Sequence, residues 1–102
     1  MKKKIVITGG EGRFAQVLKR DNKKLDILYP NKKKLNILNI NSINKYLKKN
    51  KPKYLIHAAA LSRPMNIHDR QISKSIDLNI IGTANIVKVC SELKIKLIYF
   101  ST

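Results

Sequence analysis

The sequence predicts an α/β domain in which a parallel sheet carries helices on both faces. Short apolar runs alternate with stretches of helical periodicity along the chain, in the order β-α-β-α-β-α-β. The first and third runs, around Ile5-Val6-Ile7 and Tyr54-Leu55-Ile56, are unbroken rather than alternating, as strands covered on both faces are. A glycine-rich bend joins the first run to the first helical stretch. Strands connected through helices run parallel and cross over with a right hand, so about four strands make an incomplete doubly wound sheet.

Residues 3–8 are the first strand, ended by Gly9-Gly10. Over residues 12–19 Phe14, Ala15, Val17 and Leu18 recur at helical spacing, and Arg20-Asp21-Asn22 turns the chain polar. Residues 25–29 form a second strand closed by Pro30-Asn31. Leu35, Ile37 and Ile40 make a loosely ordered apolar stretch, after which Ser42 is the predicted N-cap of a helix turning Ile43, Tyr46 and Leu47 inward. Lys51-Pro52 ends that helix. Residues 54–58 are the third strand and 61–69 a loop. Residues 72–93 form a long helix with Ile72, Ile76, Ile80, Ala84, Val87 and Cys90 on one stripe. Gly82 interrupts it, which costs about 1 kcal/mol relative to Ala and calls for a packing or ligand-approach reason. Residues 97–100 are the fourth strand, expected at an exposed edge.

With 102 residues and 11.7 kDa the chain has room for one domain, and 43% hydrophobic residues supply its core. The single cysteine, Cys90, excludes an internal disulfide, and no cluster of metal ligands accompanies it. A reducing, cytoplasmic setting is expected. Met1-Lys2-Lys3-Lys4 resembles the start of an export signal, but only Ile5-Val6-Ile7 follow. No apolar run approaches the roughly 20 residues that span a bilayer, so a soluble chain with no membrane partner is expected.

The formal charge of +16 raises the question of nucleic acid. Residues 1–53 hold 16 basic and 3 acidic side chains against 6 and 3 in residues 54–102, so the excess sits in the first half. Yet 18 of the 22 basic residues are Lys, whereas nucleic-acid readers lean on Arg and stacking aromatics. Together with 15 Ile and 10 Asn, the lysines fit an AT-rich coding bias. The composition argues against a nucleic-acid partner and leaves room for an anionic small ligand.

The motif Thr8-Gly9-Gly10-Glu11-Gly12-Arg13-Phe14-Ala15 leaves a strand and opens a helix, with Gly9, Gly12 and Ala15 at three-residue steps. One glycine allows a tight bend, the next lets a diphosphate approach the backbone, and a small third residue lets helix and strand pack closely. The helix start adds amide donors and a positive dipole end. These features predict a Rossmann-type site for a dinucleotide, beyond the carboxyl ends of the strands where the winding reverses, between the first strand and the fourth. No Gly-Lys-Ser/Thr follows, so it is not a P-loop. No acidic residue ends the second strand. Asn31-Lys32-Lys33-Lys34 stands there instead, and Lys32 suits a 2′-phosphate, which favours NADP over NAD.

With the glycine motif, His57-Ala58-Ala59-Ala60, Asn79-Ile80-Ile81-Gly82-Thr83 and Tyr99-Phe100-Ser101-Thr102 resemble the extended short-chain dehydrogenase/reductases over essentially the whole chain. Leu35-Asn36-Ile37-Leu38-Asn39 stands where the dTDP-4-dehydrorhamnose reductase group has a Leu-Asp-Ile-x-Asp element, and the chain is most similar to that group. The resemblance implies that Gly9, Gly12 and Ala15 form the pyrophosphate turn with Arg13 and Phe14 beside it. It also implies that Asn36 lies near the adenine, that Ala58, Ala59 and Ala60 line the nicotinamide-ribose side, and that Asn79 helps organise the site. Thr102 would be the active-site hydroxyl on the substrate oxygen. The family commonly has Asn where His57 stands, and His57 is read as a packed histidine.

The family's proton-transfer pair, Tyr-x-x-x-Lys, has no counterpart within these 102 residues, nor has its C-terminal substrate domain. The chain is thus expected to be the N-terminal NAD(P)-binding segment, residues 1–102, of a nucleotide-sugar reductase, with little or no turnover alone and a homodimeric full-length form. Epimerase or 4,6-dehydratase chemistry, and a non-catalytic cofactor-binding regulatory subunit, are the alternatives.

Overall fold

The structure, a computed structural model, describes residues 4–9, 12–21, 24–58 and 69–99, residues 69–79 by their backbone alone. Its elements are β1 (Lys4–Thr8), α1 (Arg13–Asp21), β2 (Asp26–Leu28), α2 (Ile40–Asn50), β3 (Tyr54–His57), α3 (Asp69–Leu93) and β4 (Lys96–Tyr99). All neighbouring strands pair in parallel, in the order β2-β1-β3-β4. The alternation in the sequence is therefore realised as a Rossmann-like α/β sheet, with strand and helix ends within a few residues of expectation.

Alternation along the strands sorts the core into two layers. Val6 of β1 and Leu55 of β3 join Ile43 and Leu47 of α2 and Ile86, Val89 and Cys90 of α3 on one face. Ile7, the next residue along β1, packs with Ala15 of α1 and with Ala58 on the other. Val6 and Ile7 both have no exposed surface, so β1 is covered from both sides as its apolar run predicts. The cover on the α1 face thins across the sheet. Ile7, Ile56 and Ile98 share one register row, and exposure rises along it from none at Ile7 to 42% at Ile98 on the β4 edge. Burial pushes the Cys90 thiol up to about 11, so this core cysteine stays protonated and inert at neutral pH.

Four details depart from the sequence reading. The N-cap of α2 is Asn39, whose Oδ1 accepts from the Asn41 and Ser42 amides at 3.0 and 3.3 Å. Ser42 is already inside the helix, and its hydroxyl accepts from the Asn36 amide at 3.0 Å. The winding reverses between β1 and β3, not between the first and fourth strands, because the segment around Leu35 and Ile37 bends into turns and the next strand crosses back beside β1. On α3, Gly82, Ile86 and Val89 are buried, whereas Ile80, Ala84 and Val87 of the predicted stripe face outward. Helix α3 already begins at Asp69; the rest of the expected loop, residues 61–68, lies outside the described residues. Lys51 ends α2 as foreseen, in a left-handed conformation (φ 47°) with its amide on the Leu47 carbonyl at 2.8 Å, and Pro52 follows.

Gly82 has a packing reason. A Cβ there would lie 2.5 Å from Cδ1 and 2.8 Å from Cγ1 of Ile37, whose carbonyl accepts from Asn85 Nδ2 at 2.9 Å. The missing side chain seats the segment before α2 directly against α3. Gly82→Ala gains about 1 kcal/mol of helix propensity but overpacks a stiff β-branched neighbour at about 1–3 kcal/mol. Urea denaturation is expected to show a net loss, and adding Ile37→Val, which removes Cδ1, to recover part of it. Simple additivity of the two substitutions would contradict this account.

Candidate functional site

The bend after β1 is tight. Gly9 has φ 71°, a left-handed conformation that favours glycine, and its carbonyl accepts from the Gly12 amide at 2.9 Å. A Cβ on Gly12 would stand 3.2 Å from that same carbonyl oxygen. The Gly12 carbonyl then takes the Gln16 amide at 3.0 Å and α1 begins. Ala15, with no exposed surface, packs with Ile7 and Ala58, so a larger residue there would push α1 off the sheet. Each of the three small residues thus meets a distinct steric demand, and backbone and helix start converge at the carboxyl end of the central strand. A close strand-to-helix bend of this kind brings helix-start amides toward the strand end, the chemistry that suits an anionic group.

Of the residues singled out in the sequence, the structure brings together Gly9, Gly12, Ala15 and Ala58. The Ala58 amide donates to Thr8 Oγ1 at 3.1 Å, which ties the end of β3 to the end of β1. Arg13 and Phe14 are exposed at the start of α1. Lys32 is exposed on a turn held by Asn31, whose side-chain and main-chain oxygens both accept from the Lys34 amide, at 3.0 and 3.1 Å. Asn36 is also exposed, and its Oδ1 accepts from the Leu38 amide at 3.0 Å, so part of its acceptor capacity is used within its own turn while the amide donors remain. Ala59, Ala60 and Thr102 lie outside the described residues, and Asn79 is described only as part of the α3 backbone.

The sequence reading missed the polar network around His57. The ring has no exposed surface. Its Nδ1 is 2.7 Å from Thr8 Oγ1, its Nε2 is 3.0 Å from Thr83 Oγ1, and it stacks on Tyr99 with centroids 5.7 Å apart and planes 23° apart. Packed it is, but as a hub among β1, α3 and β4. Thr8 could have been found, because β1 and β3 in parallel register set it opposite His57; nothing in the linear spacing marks Thr83. Burial lowers the His57 pKa below the ordinary histidine value, so the ring is neutral at neutral pH. Among the described residues, no group of three or more His, Cys, Asp or Glu side chains could hold a metal ion, and no helix is long and apolar enough to cross a membrane.

The family described as the RmlD substrate binding domain matches residues 2–102. The chain belongs to that family. No curated protein matches it. Among solved structures it is similar to dTDP-4-dehydrorhamnose reductase from Bacillus anthracis in complex with NADP, at 26% identity and a TM-score of 0.78, over 99% of this chain and 36% of that one. A GDP-6-OMe-4-keto-L-xylo-heptose reductase from C. jejuni (22% identity, TM-score 0.82) covers 98% of this chain, and a GDP-L-fucose synthetase from Naegleria fowleri bound to NADP (23%, 0.75) covers 95%. This chain covers 30% of each. It therefore spans about a third of the length of the solved structures it matches, and the last two likenesses establish the fold.

The lowered His57 pKa has a consequence for stability. Between the folded and unfolded pKa values the unfolded chain binds the extra proton, so stability rises with pH through that window and levels off above about 6.5, the unfolded value. Urea midpoints are expected to be lower at pH 5.5 than at pH 7.5, with the gap narrowed in His57→Asn. An unchanged gap in the variant would assign the dependence to another group.

Proposed function

We propose that residues 1–102 are the cofactor-binding part of a nucleotide-sugar oxidoreductase of the dTDP-4-dehydrorhamnose reductase type, using NADP(H). The observation that carries this reading is the bend itself: a left-handed Gly9, a Gly12 whose Cβ would press on the Gly9 carbonyl, and Ala15 sealed against Ile7. A family relative with 26% identity over 99% of this chain is solved with NADP.

In this reading the amides of residues 9–15 and the start of α1 hold the diphosphate, with Arg13 and Phe14 at its flank. Asn36 faces the adenine with its amide donors, and Lys32 serves a 2′-phosphate. Ala58, Ala59 and Ala60 leave space beside the nicotinamide ribose, Asn79 organises the same cleft from α3, and the Thr102 hydroxyl bonds the substrate oxygen as its charge changes. When bound, the nicotinamide would supply or accept the hydride. The proton-transfer Tyr-x-x-x-Lys pair and the sugar-nucleotide domain belong to the part of the relatives that these residues do not span, so binding without appreciable turnover is the expected behaviour of this chain alone.

Titration calorimetry tests the reading. NADPH is expected to bind the folded chain more tightly than NADH, and Lys32→Ala to narrow that preference. Gly12→Val, which crowds that bend, is expected to weaken NADPH by at least about tenfold, or about 1.4 kcal/mol, with the far-ultraviolet circular dichroism of the sheet and helices retained. Absence of heat with both coenzymes would overturn it. Steady NADPH oxidation with a 4-keto nucleotide sugar by this chain alone would overturn the expected lack of turnover.

A further inference from the structure

We propose that His57 is a positioning residue that locks the carboxyl ends of β1, β3 and β4 to α3, so that the Gly9 bend and the end of β4 hold a fixed relation. The observation is the ring's three-way engagement. Thr8, the residue before Gly9, meets Nδ1 at 2.7 Å; Thr83, the residue after Gly82, meets Nε2 at 3.0 Å; and Tyr99, the last described residue of β4, stacks on the ring at 5.7 Å. Thr8 Oγ1 also takes the Ala58 amide, so one hydroxyl joins the histidine, the β3 end and the residue from which the bend springs. The functional meaning of the lock rests on the proposed cofactor role of the bend.

The chemistry of the ring decides how tight the lock is. A neutral imidazole has one donor and one acceptor nitrogen; with the Ala58 amide donating to Thr8 Oγ1, the lock takes the tautomer in which the Thr8 hydroxyl donates to Nδ1 and Nε2 donates to Thr83 Oγ1. A protonated ring has two donors. With the Ala58 amide already on Thr8 Oγ1, a second donor arriving at 2.7 Å obliges the Thr8 hydrogen to turn elsewhere. At the same time a cation within about 6 Å of the Tyr99 ring is drawn to its face. One proton on His57 therefore pulls on both ends of the lock. The groups set against the ring are the Thr8 hydroxyl from β1, the Thr83 hydroxyl from α3 and the Tyr99 ring from β4; the Tyr99 phenol is the titratable one, and no charged side chain is among these three. Burial keeps the neutral form dominant at neutral pH.

The test follows backbone amide shifts of the 102-residue chain by nuclear magnetic resonance between pH 5 and 8. Gly9 and Tyr99, at the ends of strands separated by β3, are expected to titrate with one midpoint, shared with the His57 ring and lying below the ordinary histidine value. In His57→Asn, which keeps hydrogen-bonding groups without a titrating ring, both shifts are expected to vanish. Thr8→Val, which keeps the shape and removes the hydroxyl, should uncouple Gly9 while Tyr99 still follows the ring. A residue that merely fills space would leave Gly9 unaffected by the His57 proton in the native chain. The proposal is overturned by flat Gly9 or Tyr99 curves, by separate midpoints, by persistence of the shifts in His57→Asn, or by Gly9 still following in Thr8→Val. Should His57→Asn fail to fold, the native chain and Thr8→Val still decide. Adding NADPH separates the two claims: no NADPH-induced shift with intact coupling removes the cofactor reading and keeps the lock.

Discussion

Everything in this molecule depends on β1 being buried from both sides. Val6 and Ile7 point to opposite layers and neither retains exposed surface, so α1 on one face and α2 with α3 on the other are held through a single five-residue strand. Burying such side chains contributes about 1.5–3 kcal/mol apiece. Because β1 is pinned in this way, whatever leaves its carboxyl end leaves from a fixed point. The Gly9 bend, the Thr8 hydroxyl and the start of α1 inherit their positions from that strand, and the neighbouring end of β3 brings Ala58 and His57 alongside.

Much of this was legible in the linear sequence because it rests on local chemistry. An unbroken apolar run predicts a doubly covered strand, small residues at three-residue steps predict a close bend and a close helix, and Lys51-Pro52 predicts a helix end; each acts within a few residues of itself. The tight turn at Gly9, the close approach at Gly12 and the packed Ala15 are readable for the same reason. Helix Asp69–Leu93 was visible in outline, but its inward face was misjudged by part of a turn, since Gly82, a poor hydrophobic marker, lies at the heart of the buried side.

What stayed hidden depends on partners far apart in the chain. Gly82 is explained by Ile37, 45 positions earlier, and the Asn85 side chain holds the same segment. Asn39 displaces Ser42 as the cap because Ser42 is engaged by Asn36. The place where the winding reverses depends on whether residues near 37 extend or turn, which their composition leaves open. His57 reads in sequence as one more packed side chain; its meaning comes from Thr8 and Thr83, separated from it by 49 and 26 positions.

The outer rim of the sheet at Lys96–Tyr99 has a colloidal consequence. Ile98 and Tyr99 stand well exposed on a strand whose far side pairs with no other described strand, the arrangement that invites another chain to add on. Opposing this is a net charge of +16, which makes copies repel, with Lys96 seated on the rim itself. That repulsion reaches only about 10 Å in 0.1 M salt and about 3 Å in 1 M. Rising ionic strength therefore weakens the electrostatic barrier that stands between two such rims.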